Sequence, residues 1–201
     1  MSDKNEQFQD YFFTDISQVI STIKYILLRI IDYTSEIQEC TPSIFDFSSF
    51  QQENTDIALS TTASSDFSES SEEKCILNEI IMDDLEKFIK EFASKFQFNE
   101  NLLILSLMNI DKILENNFII TERNIKNLFL VSMIETQKFY EDESFNNRFY
   151  AFFAGITPNQ LLQMEIKFFE MMDYNLFVSE KKFYNYKERM IRLYKNNLIV
   201  L

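Results

Sequence analysis

The sequence predicts an all-α fold, and three observations carry that prediction. Gly occurs once, Pro twice and Trp never in 201 residues, so the punctuation that a turn-rich β fold requires is missing, while helices need little of it. Hydrophobic residues make up 46% of the chain and include 22 Phe, enough to bury a substantial core. In run after run these apolar residues recur at three- and four-residue steps, the period of an amphipathic helix.

Between about residues 10 and 36, Tyr11, Phe12, Ile16, Val19, Ile20, Ile23, Leu27, Ile30 and Ile31 fall on one face of a long helix that is polar on its other side. Thr14 or Ser17 would cap a shorter version of it. Residues 40–73 break this period: Ser, Thr, Asp and Glu dominate, aromatics are scattered, and the segment reads as a mobile linker. Thr41, which precedes Pro42, suits a proline-directed kinase, and Ser68 and Ser70 in the acidic SESSEE run suit an acid-directed one. An unmodified, solvated linker is the alternative.

From Ile76 onward the helical signals return, and they predict helices near 77–95, 99–116, 122–140, 144–153, 158–174 and 180–195. The second of these is apolar on nearly every side through Leu102, Leu103, Ile104, Leu105, Leu107, Met108 and Ile110, which marks the centre of a bundle. Thr121 can cap the next helix, which buries Ile125, Leu128, Phe129, Val131 and Met133. Gly155 stands where the fourth helix should stop, because a residue without Cβ takes the left-handed cap conformation at little cost. Thr157, Pro158 and Gln160 then supply an N-cap, a first helical residue and the return arm of a capping box.

The domain organisation expected from this pattern is an N-terminal amphipathic helix over 1–39, an acidic linker over 40–75, a helical domain over 76–178 and a C-terminal helix over 179–201. The net charge of -13 is uneven, with eight of the excess negative charges between residues 36 and 74. No region is basic, which disfavours nucleic-acid binding. Apolar runs are too short for a membrane span, and the start MSDKNEQFQD is too polar for a signal peptide. Zero His and only Cys40 and Cys75 leave no zinc site, no Cys-His nucleophile and no histidine base, and no glycine-rich phosphate loop is present. The chain is therefore expected to be no enzyme, to carry no cofactor or metal, and to reside in the cytoplasm or nucleus.

The segment from Lys138 to Leu176 combines several features in one order: Lys138, Asp142, Asn146-Asn147, Tyr150-Ala151, Gly155-Ile156, Leu161, Glu165, Phe168-Phe169 and Asp173-Tyr174. Upstream, LLILSLMNIDKIL carries the pair Asp111-Lys112. This series resembles the signature of the P-type cyclins, the phosphate-pathway cyclins and their relatives, over about residues 76–178 and more weakly in the N-terminal helix. The resemblance implies a single five-helix cyclin box with one further helix at each end. It implies a regulatory subunit that binds and activates a cyclin-dependent protein kinase as a heterodimer, with a cyclin-like adaptor that binds without activating as the alternative.

In such a box the third and fifth helices present the kinase-binding face, and Lys138 and Glu165 match the family's Lys and Glu there. Without the surrounding motif both would read as ordinary solvated helix residues. Asp142 is either an interface acid or a helix-terminal cap, while Asn146, Asn147 and Tyr150 are expected to order the short fourth helix, with contact to the kinase as the alternative. Phe149, Phe152 and Phe153 crowd a helix too short to bury all three, which leaves some of them as exposed anchors for the kinase. Phe168 and Phe169 are expected in the core. The pattern departs from the family at Ala154-Gly155, at Gln137 before the Lys, and at Gln160-Leu161-Leu162; the family's first-helix Arg finds only Lys87 or Lys90, which lack its planar fork.

Overall fold

The computed structural model describes residues 13, 15–35, 71–116 and 118–199. Among them are seven helices and no strand: α1 (Ile16–Ser35), α2 (Ser71–Lys95), α3 (Glu100–Glu115), α4 (Ile125–Tyr140), α5 (Asn147–Ala154), α6 (Pro158–Met171) and α7 (Glu180–Ile199). The all-α reading holds. Tyr11, Phe12 and the phosphorylation candidates Thr41, Ser68 and Ser70 lie outside the described residues.

The apolar helix is the centre. Every residue of α3 from Leu102 to Ile110 is buried, and the helix packs along α4 and against α1 and α7. Its Asn99 cap accepts from the Leu102 N–H at 3.0 Å. The polar residues inside it are paired to its neighbour: Asn109 Nδ2 donates to Thr136 Oγ1 at 3.0 Å, and Ser132 Oγ donates to the Ser106 carbonyl at 2.7 Å. Such bonds fix register between two helices whose apolar contacts alone would allow sliding.

Helix α1 lays Val19, Ile20, Ile23, Leu27 and Ile31 against α2 and α3, so the stripe read from sequence is its buried face. Lys24 bridges to Asp83 and, at 3.1 Å, to Glu86 on α2. Thr34 Oγ1 donates to the Ile120 carbonyl at 2.5 Å, which ties the end of α1 to the loop after α3. Helix α7 returns to the same side, where Tyr186 donates to Asp111 at 2.6 Å and Lys187 pairs with Glu100 at 2.5 Å. Lys112 donates to the carbonyls of Asn175 and Phe177 and so anchors the segment between α6 and α7.

Several boundaries differ from the sequence reading, including the start of α5 at Asn147, not near 144, and the end of α7 at Ile199, not near 195. Helix α2 begins at Ser71, not near 77, and so extends into the stretch read as linker. Thr121 does not cap α4. Its backbone N–H donates to Asn124 Oδ1 at 2.9 Å while Asn124 Nδ2 donates to the Ile119 carbonyl, a turn that delays the helix to Ile125 and leaves the buried Thr121 hydroxyl unpaired. Helix α6 ends at Met171 because Asp173 and Tyr174 take positive φ of 48° and 56°.

The α5–α6 junction forms as the sequence predicts. Gly155 caps α5 at φ 70° with open space where a Cβ would lie, so backbone conformation alone requires the glycine. At the start of α6 the Gln160 N–H donates to Thr157 Oγ1, and the Thr157 N–H donates to Gln160 Oε1 at 2.8 Å. Thr157→Ala is expected to cost about 1 kcal/mol of stability, read from urea unfolding, because the end of α6 loses its side-chain acceptor.

Candidate docking site

Helices α4, α5 and α6 meet at one end of the bundle, and α5 is held there by aromatic packing. Phe153 sits 5.6 Å from Phe92 and 5.4 Å from Phe96 between ring centroids, and Tyr150 lies 4.8 Å from Phe96. Gln137 locks the same junction: its Nε2 donates to the Phe96 carbonyl at 2.8 Å, and its Oε1 accepts from the Tyr150 hydroxyl at 2.7 Å. One buried amide on α4 thus joins the end of α2, at Phe96, to α5, at Tyr150. The Tyr150 hydroxyl also accepts from the Phe145 N–H, and Asn146 caps α5 by accepting from the Arg148 N–H.

The structure brings Lys138 and Glu165 together. Lys138 Nζ lies 2.5 Å from Glu165 Oε1, and Asn147 Nδ2 donates to Glu165 Oε2 at 2.7 Å. Neither residue is the solvated helix residue that it would be in isolation: Glu165 is 6% exposed and the Lys138 side chain 27%. A third member joins them. Glu135, 3% exposed and one turn before Lys138 on α4, approaches the same ammonium at 3.1 Å.

Two buried carboxylates therefore flank one lysine. Burial pushes the Glu135 carboxyl up to about 7; Lys138 pulls it down, and the neighbouring Glu165 pushes it up again. Sequence reasoning missed Glu135, whose only signal is an acid inside the apolar run LFLVSMIETQ, three residues before the motif Lys.

Phe149 and Phe152 project from α5 at 64% and 88% exposure, whereas Phe153 turns into the aromatic cluster. Asp142 lies in the exposed loop between α4 and α5; Glu141 ends the first helix and Asn146 begins the second, so Asp142 caps neither. Phe168 is fully buried and Phe169 packs at the core's edge. Among the described residues no cluster of three or more His, Cys, Asp or Glu could hold a metal ion, and no helix is long and apolar enough to cross a membrane.

The bundle thus leaves Phe149 and Phe152 exposed on the helix whose Asn147 joins the buried Lys138–Glu165 pair. The family model for cyclins matches residues 17–176, about four-fifths of the chain. Cyclin-P2-1 of Oryza sativa subsp. japonica is 22% identical over 109 residues, covering 54% of this chain and 50% of the relative. Cyclin-P3-1 of the same organism is 27% identical over 113 residues, covering 51% and 48%. The PHO85 cyclin-like protein psl1 of Schizosaccharomyces pombe is 28% identical over 94 residues, covering 45% and 39%. The chain thus spans half or less of the length of these curated relatives. It belongs to the cyclin family, and within that family its kinship is with the P-type cyclins.

Proposed function

We propose that the chain is the regulatory subunit of a cyclin-dependent protein kinase, binding it as a heterodimer through the face formed by α4, α5 and α6 and shifting the kinase's regulatory helix into its active position. The observation that carries this reading is the meeting of Lys138 and Glu165 at 2.5 Å, joined by Asn147 of the helix that exposes Phe149 and Phe152, in a chain of the cyclin family. Lys138 has three N–H donors; two point at Glu135 and Glu165, and the third is the one a kinase backbone carbonyl can accept from. The exposed phenylalanines supply apolar area, and the exposed Asp142 adds a negative rim.

Activation on this reading is a population shift. The kinase's catalytic Lys–Glu pair forms only in the active arrangement of its regulatory helix, and a subunit that binds that arrangement more tightly draws the kinase into it. The role is regulatory rather than catalytic, in the cytoplasm or nucleus, with phosphate signalling and the cell cycle as the processes the resemblance suggests.

The test is to purify the chain with its co-purifying kinase, then assay that kinase with and without added chain. Phosphorylation of histone or peptide by the kinase is expected to rise with added chain to a plateau at one chain per kinase. Binding without stimulation would identify an adaptor, and no kinase in the complex would overturn the reading.

A further inference from the structure

The two acids at the centre of the docking face outnumber the one base that serves them. Lys138 neutralises one carboxylate, and a second ionised carboxylate at 3% exposure would be a buried, uncompensated charge. Glu165 has the stronger claim to the charge, since Lys138 and Asn147 both donate to it, one to each oxygen. Glu135 shares only the ammonium, on which the two carboxylates converge at 3.1 and 2.5 Å.

We propose that the cluster completes itself with one proton on Glu135, donated to Glu165, so that the docking face of the chain carries a removable proton at its centre. The groups that act on Glu135 are Lys138 on its own helix and Glu165 on α6, with Tyr150 on α5 within reach of its charge and Asn147 on α5 bonded to Glu165; the polar bonds between α3 and α4, through Ser106 and Asn109, involve uncharged groups. Burial as the leading cause, opposed by Lys138 and reinforced by Glu165, holds this carboxyl at about 7 against an ordinary 4.5. The proton frees Lys138 from one of its two competing carboxylates and leaves more of its donor capacity for a partner. That last consequence rests on the docking reading; the proton itself does not.

The sign follows from linkage. Between the ordinary value of 4.5 and about 7 the folded chain binds this proton and the unfolded chain does not, so stability falls as pH rises through that window and levels off above it. The chain has no histidine to titrate in the same range.

The experiment compares thermal unfolding midpoints of the full chain and of Glu135→Gln from about pH 5.5 to about pH 8.5. Gln stays uncharged throughout, and its amide can take over donation to Glu165. The midpoint of the variant is expected to gain on that of the parent as pH rises, by on the order of 5 °C, with a plateau above neutrality. Parallel profiles would overturn the proposal. If the variant fails to fold, a carboxyl ¹³C titration of the parent chain decides: one glutamate titrating near neutrality supports the shared proton, and titration of every glutamate below about pH 5.5 overturns it. Neither measurement involves a kinase, so failure of this inference and failure of the docking reading are separable.

Discussion

A Lys138→Glu chain is expected to lose roughly 3–5 kcal/mol of folding stability before any partner is present, because the substitution removes the one cation from a buried pair and adds a third acid. Glu165 and Glu135, both nearly inaccessible, depend on that ammonium at 2.5 and 3.1 Å. Lys138→Met separates the effects, since it keeps the apolar stem and deletes only the charge. Its deficit, read from urea midpoints, is expected to be large at about pH 8 and to shrink toward about pH 5.5. The direction is fixed by the chemistry: without the lysine the Glu135 carboxyl, already raised by burial and by Glu165, loses the group that pulls it down, and a proton supplied at acid pH removes its repulsion and desolvation cost together. A deficit that does not change with pH would mean that the lysine stabilises by packing alone. For the same reason, reversing the Lys138 charge is a poor probe of kinase contact, because weakened binding would follow from the damaged fold.

What the sequence revealed and what it hid divide along a physical line. Gly155, Thr157, Pro158 and Gln160 act within a few residues of themselves, through φ preference and local hydrogen bonds, and their roles were readable without any knowledge of the fold. The buried stripe of α1 and the wholly buried α3 were likewise contained in the spacing of their apolar residues. Thr121 misled because a threonine ahead of an apolar run suits a cap, yet Asn124 competes for the same turn and wins it with bonds to both Thr121 and Ile119. Composition misled at Ser71, where a Ser- and Glu-rich stretch resembles a linker and is also a serviceable first helical turn.

The proposed docking site was half visible for a different reason. Lys138 and Glu165 stood out through a motif, but Glu135 acquires its meaning only when α6 is laid beside α4 and brings a second carboxylate to the same ammonium. A single acid in an apolar helix carries no sign of its partner thirty residues away. The phenylalanines of α5 pose a similar problem. Positions i, i+3 and i+4 share one side of a helix, so the spacing of Phe149, Phe152 and Phe153 gives them one general direction and does not say which of them reaches the bundle. The answer lay in α2 and the residue that follows it: Phe88, Phe92 and Phe96 receive Phe153 and leave the other two outside.

That division makes Phe152 the cleanest probe of the proposed kinase contact. Its side chain is 88% exposed, so Phe152→Glu is expected to leave folding stability within about 0.5 kcal/mol of the parent. If α5 docks on the kinase, the same substitution replaces a large apolar anchor by a charge that must be desolvated in the interface. A loss of about 2 kcal/mol or more is then expected, on the order of thirtyfold in Kd. Titration of the co-purifying kinase with the parent and the variant chain, alongside urea unfolding of both, reads the two quantities separately. Lowered affinity at unchanged stability ties the contact to α5. Unchanged affinity would remove α5 from the interface and leave the polar cluster around Lys138, and not the aromatics, to account for docking.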